Sequence, residues 1–351
     1  MFDSYNNKNR IYWVDWLKTI AIFAVILLHC SSKFLLPQAA FHPNWYFGVL
    51  FESCSRFGVP LFIMVSGFLI LRKKQSISDV PRRLKRVIVP FLFWLVIYVL
   101  AKFIFMFGSN NLVDFGFFLF GALLDPTIVS VEFWFVYMII GLYIVSPIIT
   151  TWLHNADIKE IEYSLLIWAL ISFVGFSNVE FLLYDYLRYF AGSIGYFILG
   201  YYLAIKQKSC LKNRNFGWLL FAAGTLLAFF GTVCSSMAIG GQSLFFFNLG
   251  DVTPNACLQA MGLFIVISNT DFTKFPNLIN KIIVYLSIGS YGVYLANVLV
   301  INLFDKIRLF DFIGTAGFII PLEFILVVLV TNIAIRIMYK IPVLTKFSGI
   351  K

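Results

Sequence analysis

Ten apolar stretches recur along the chain, each bounded by polar or basic residues, at about 11–31, 45–71, 87–107, 132–152, 162–178, 186–205, 216–238, 251–269, 282–304 and 313–338. A spanning helix needs ~20 mostly apolar residues. The pattern therefore predicts an all-α polytopic bundle of about ten transmembrane helices forming one membrane domain. An eleventh apolar stretch, LVDFGFFLFGALL at 112–124, is short for a span. If it does not cross, the later inward segments carry eleven Lys or Arg and the later outward ones only Arg188, Lys306 and Arg308. If it crosses, that bias reverses, against the excess of basic residues on the cytoplasmic side. It is therefore expected to lie at, or dip into, the outer face, with both termini cytoplasmic. The first apolar run is followed by HCSSKF, which has no small-x-small cleavage pattern, so the run is expected to stay as an anchor.

Composition agrees with a membrane bundle. The 351 residues are 60% hydrophobic and 13% charged, where a soluble domain carries about 25% charged residues. The net charge of +10 follows from basic inner loops and does not point to nucleic acid. The five cysteines are scattered without metal-ligand spacing, so no metal is expected; Cys30 and Cys54 both fall near the outer surface, leaving one bridge open.

Candidate chemistry concentrates in the first helix, YWVDWLKTIAIFAVILLH, whose apolar run carries Asp15, Lys18 and His29. Ionisable groups in a span are costly and mark functional positions. Lys18 and His29 are eleven residues apart. That is about three turns, with ~20° of drift and ~16 Å of rise. They share a face, with Asp15 one turn below Lys18. His29 can act as base or nucleophile near neutral pH, or simply bond a backbone carbonyl near the helix end. Arg56, before the run VPLFIMVSGFLIL, either snorkels to the outer interface or faces the same cavity as His29. Ser66 and Gly67 follow near the inner end, where small residues commonly ease helix packing. The run RKKQSISDVPRRLKR at 72–86 holds seven Lys or Arg. It reads as a topology signal or membrane-lipid contact, or as a phosphate grip through Arg82, Arg83, Lys85 and Arg86. Glu132 and Trp134 open the stretch EFWFVYMIIGLYIVSP at an outer boundary, where Trp134 suits the interfacial belt. Glu180, Asp185 and Arg188 cluster in an outer loop. Tyr294 and Asn297 lie inside LSIGSYGVYLANVLV, where a buried Asn either ties helices together or lines a cavity.

With these motifs the chain resembles the membrane acyltransferase 3 family. That family's first helix carries Arg, ten residues, then His; here Lys18 and His29 keep the spacing. YWVDWLKTIAIFAVILLH, SRFGVPLFIMVSGFLI and EFWFVYMIIGLYIVSP are similar to the branch that O-acetylates enterobacterial common antigen, and the basic run sits where the family has its Arg-rich inner loop. Two positions depart: Lys18 replaces the usual Arg, and Asn297 stands where many members have His.

The resemblance implies a multi-pass enzyme of the bacterial plasma membrane. Its donor would be acetyl-CoA or another acyl-CoA, and its acceptor an envelope polysaccharide or lipid-linked glycan. It further implies catalytic roles for His29, Lys18 and Arg56. Donor binding would fall to Lys18, Ser66, Arg82, Arg83 and Arg86, and acceptor binding to Glu132, Trp134, Tyr294 and Asn297. The competing reading of the residues alone is a transporter for an anionic solute or glycan precursor, with Lys18, Arg56 and His29 lining its path.

Overall fold

The computed structural model describes residues 10–35, 40–107, 112–176, 192–205, 209–243 and 253–350. Glu180, Asp185 and Arg188 lie outside these. The described residues form helices and connecting turns, with no strand. In chain order the α-helices are α1 (Tyr12–Ser32), α2 (Pro43–Ser55), α3 (Gly58–Leu71), α4 (Val80–Phe107), α5 (Leu112–Leu124) and α6 (Trp134–Asn155). There follow α7 (Ile158–Phe176), α8 (Ile194–Ile205), α9 (Arg214–Ile239), α10 (Pro254–Ser268), α11 (Asn277–Lys306) and α12 (Ala316–Lys340).

Among the described residues, seven helical segments are long and apolar enough to cross a membrane: α1, α2 with α3, α4, α6, α9, α11 and α12. The chain is a multi-pass membrane protein. Of the ten expected spans, those at 186–205 and 251–269 contain the shorter apolar helices α8 and α10. The one at 162–178 overlaps α7, which opens with Lys159, Glu160 and Glu162. The 13 residues of α5 rise ~20 Å, short of a ~30 Å hydrocarbon core.

Two boundaries differ from those the apolar pattern predicts. The stretch 45–71 is not one helix: it breaks at Arg56 and Phe57. Pro60 has no N–H to offer the Arg56 carbonyl four residues back, and its ring crowds that carbonyl. The basic run is not a loop throughout. A capping box between Ser76 and Asp79, followed by Pro81 in the first turn, starts α4 at Val80, so Arg82, Arg83 and Arg86 are helical.

The first helix is the hub, packing against α2, α3, α10, α11 and α12. Trp16 Nε1 donates to Asn280 Oδ1, Thr19 Oγ1 to the Ile283 carbonyl, and Lys33 Nζ to Asp305 Oδ1. Residue numbers rise together in these pairs, so α1 and α11 run parallel, offset by 264 to 272 residues.

Close helix crossings are built on glycine. A Cβ on Gly67 would lie 1.9 Å from the Phe197 carbonyl oxygen of α8, and one on Gly200 would lie 2.0 Å from that of Met64 in α3. Gln259 Nε2 ties three helices, donating to the Ser53 carbonyl of α2 and to Thr225 Oγ1 of α9. Cys30 and Cys54 are both free thiols.

Gly67→Val and Gly200→Val are therefore expected to destabilise the protein by ~3 kcal/mol or more, because backbone cannot yield as a side-chain tip can. Gly141, whose Cβ would meet nothing within 4 Å, should accept Ala with unchanged or slightly raised stability. Thermal unfolding in detergent checks both.

Candidate functional site

Two polar centres lie along α1. The first is a cavity of about 300 Å³ toward the end of the bundle that carries the basic run. Its walls include Arg10, Asp15, Lys18, Phe62, Ser66, Val87, Phe135, Tyr143, Ser287 and Tyr294. Asp15 is buried and fully engaged: Arg10 forks it through Nε at 2.8 Å and Nη2 at 3.0 Å, and Ser287 Oγ donates at 2.6 Å. Asp15 and Lys18 thus share a cavity, as their one-turn spacing predicts. The neighbouring Ser66 and Gly67 divide their roles. Ser66 lines the cavity and is hydrogen-bonded with the Tyr143 hydroxyl, whereas Gly67 faces away into the α8 crossing.

The basic segment reaches this cavity. Val87, one residue beyond Arg86, is part of its wall, and the Val87 carbonyl accepts from the Tyr291 hydroxyl at 2.8 Å. Arg83 is half-buried, donates to Gln75 Oε1 and exerts its charge on Tyr143. Arg82 is largely exposed and pairs with Asp79 at 2.7 Å, while Arg86 is exposed. The chain's last turns complete the enclosure: Gly349, at φ +70, packs on Gly292 of α11 and lines the cavity. The left-handed φ favours a residue without Cβ there.

The second centre surrounds the break between α2 and α3. Arg56 does not snorkel. Its side chain is 8% exposed, and Nη2 lies 2.5 Å from Glu52 Oε1. Glu52 is 1% exposed and also accepts from Ser31 Oγ at 2.8 Å through Oε2. The guanidinium acts electrostatically on the half-buried His29 ring. Of the two arrangements open from the sequence, the buried ion pair excludes snorkelling, and Arg56 is near enough to His29 for its charge to act on the ring. The parallel offset of α1 and α11 sets His29 level with residues 293–301 of α11, a window that includes Tyr294 and Asn297.

The remaining candidates separate. Tyr294 is buried, lines the inner cavity and donates its hydroxyl proton to the Glu132 carbonyl oxygen. Glu132 is buried and accepts from Ser130 Oγ. Trp134 is half-buried at the start of α6, its ring edge against Phe135. Asn297 is fully buried and neither ties helices together nor lines that cavity. Its Nδ2 donates to the Val293 and Tyr294 carbonyls of its own helix, and its Oδ1 has no hydrogen-bond partner. The cavity wall includes Lys18 but not His29. A chain of rings forms part of that wall: Phe62 meets Phe135 at 6.3 Å and Phe135 meets Tyr294 at 5.1 Å.

Glu52, Ser31 and Arg10 escape a reading that looks for lone charges. The available signal was the spacing of Glu52 and Arg56, opposite charges one turn apart in an otherwise apolar run. Among the described residues no cluster of three or more His, Cys, Asp or Glu is placed to hold a metal ion.

Removing one partner of a buried ion pair costs ~3–5 kcal/mol, because the other charge is left uncompensated. Glu52→Gln and Arg56→Gln should each lower stability markedly, and the double variant should lose less than the sum. A double-mutant cycle on thermal unfolding measures that coupling.

A family model described as an acyltransferase domain matches residues 11–339 of the chain. No curated protein and no solved structure matches it.

Proposed function

From the premise that the chain belongs to the acyltransferase 3 family and is an acyltransferase, we propose that it transfers an acyl group, most simply acetyl, from acyl-CoA to a hydroxyl of a cell-envelope glycan at the bacterial plasma membrane. The observation that carries this reading is the arrangement of α1. Lys18 opens onto a cavity beside the basic segment, and His29 lies one polar level further along the same helix, within electrostatic reach of Arg56. The ~16 Å between them is about half the thickness of the hydrocarbon core.

In this mechanism the donor's phosphates bind at Arg83 and Arg86, with Arg82 available once it leaves Asp79. Guanidinium groups suit phosphate oxygens. The pantetheine arm enters past Lys18 and Ser66. The thioester passes the Phe62–Phe135–Tyr294 rings to reach His29, so side-chain movement there is part of the cycle. His29 takes the acceptor hydroxyl's proton while the new C–O bond forms, and the C–S bond then breaks to release the thiolate, which regains a proton. The alternative route forms an acyl-imidazole first and passes it to the hydroxyl. Arg56, held by Glu52, stabilises the oxyanion, a contribution often worth ~3 kcal/mol. Lys18 keeps the positive charge of the family's Arg but contacts the donor as a point charge rather than a planar fork.

His29→Ala protein, made at normal levels, should lose envelope-glycan acylation by about 100-fold or more, the usual worth of an acid–base group. Full activity would end the catalytic assignment. Replacing Arg82, Arg83 and Arg86 together by Gln should raise the apparent KM for acyl-CoA by roughly tenfold or more with little change in kcat, as expected for lost charged contacts made equally in ground and transition states.

A further inference from the structure

A second cavity, about 560 Å³, lies between the outer halves of α4 and α11 and is larger than the inner one. Tyr98, Val129, Leu299 and Leu303 give it mainly apolar walls, and Lys102 and Lys306 are its two charged members. Lys102 Nζ donates to the Ile128 carbonyl, but an ammonium carries three donors, so it can serve a ligand as well. At its depth is Tyr98, which is buried, accepts from the Leu299 N–H at 2.8 Å, and packs on Phe133 with ring centroids 4.9 Å apart. The preceding residue, Glu132, takes the Tyr294 hydroxyl on its carbonyl, and Tyr294 is wall to the inner cavity. One layer, made of the Tyr98 and Phe133 rings, the Glu132 backbone and the Tyr294 side chain, therefore joins the walls of the two cavities, and Leu299 and Tyr294 both belong to the part of α11 level with His29.

We propose that this outer cavity is the acceptor site and that it takes an anionic amphiphile: a lipid-linked sugar joined to its chain through phosphate. The apolar walls receive the chain, Lys102 and Lys306 receive the phosphate, and the attached sugar lies against the layer that faces the inner cavity. A neutral soluble glycan would gain nothing from the apolar walls, and a small hydrophilic anion would not repay their burial. An amphiphile with a negative head matches both the walls and the charges. This inference rests on the acyltransferase reading and specifies its acceptor class.

The test uses full-length protein in neutral phosphatidylcholine nanodiscs, with farnesyl phosphate as probe and farnesol, inorganic phosphate and phosphatidylglycerol as comparisons. Farnesyl phosphate should bind in preference to all three. Lys102→Gln/Lys306→Gln should weaken that binding by about tenfold or more, and Lys102→Arg/Lys306→Arg should retain it. Unchanged affinity in the Gln pair would overturn the proposal. Equal binding of inorganic phosphate would make this a free-anion site, and equal binding of phosphatidylglycerol an ordinary lipid site; either overturns the acceptor assignment. If farnesyl phosphate binds through the two lysines while the wild type neither consumes acyl-CoA nor is labelled by it, the donor half of the proposed function fails and the amphiphile site stands.

Discussion

Charge buried in hydrocarbon must be paired, and that constraint organises this protein around one helix. Three buried or half-buried polar groups sit along α1 and its flanks. Arg10 and Ser287 satisfy Asp15 at one end; Ser31 and Arg56 satisfy Glu52 further along; and Lys33, just past the last turn, pairs with Asp305 at 2.6 Å and with the fully buried Glu323 at 2.8 Å. Together they join α1 to α11, α2 and α12. Packing between helices in a membrane gains little from hydrophobicity, since lipid is as apolar as the helix faces. Close glycine crossings and these polar ties supply what burial cannot, and the ties also fix which helices meet.

The same pairs position chemistry. Arg56 stands at a break in its helix, where Pro60 and the turn at Arg56 and Phe57 interrupt the ladder, and Glu52 one turn away holds the guanidinium against the protein interior. A continuous helix would still carry Arg56, but without a carboxylate the side chain would gain by reaching for water. Glu52 is thus a positioning residue: it makes a buried arginine tolerable and leaves it close enough to act on His29. In the proposed reaction that pair has a use, since acyl transfer needs a base for the hydroxyl and a positive group for the oxyanion.

Much of this was legible in the residues. The 3.6-residue repeat put Asp15 and Lys18 on one cavity wall, and hydropathy located a helix in every predicted span. The short stretch at 112–124 is a helix of the length its composition suggested. What hydropathy could not place were events within apolar segments. Pro60 reads as one more apolar position on such a scale, so the division of 45–71 is invisible to it. The basic run looks like a loop because charge lowers hydropathy, although Pro81 and the Ser76–Asp79 cap mark a helix start at Val80. Asn297 invited a reading as glue or as cavity lining, yet its amide folds back on the carbonyls of its own turn, a competition that spacing alone does not reveal. The ring chain Phe62–Phe135–Tyr294 in the cavity wall depends on three helices meeting, and no single stretch encodes it.

The measurement that bears most directly on the account is a structure of the protein with a non-hydrolysable acyl-CoA analogue bound. The account predicts the nucleotide at the α4 end beside Arg83 and Arg86, the arm running past Lys18, the Phe62–Phe135–Tyr294 rings displaced, and the acyl carbon within contact distance of His29. An acyl end that stops among the rings or lies on another face of α1, with His29 and Arg56 left unapproached, would contradict it.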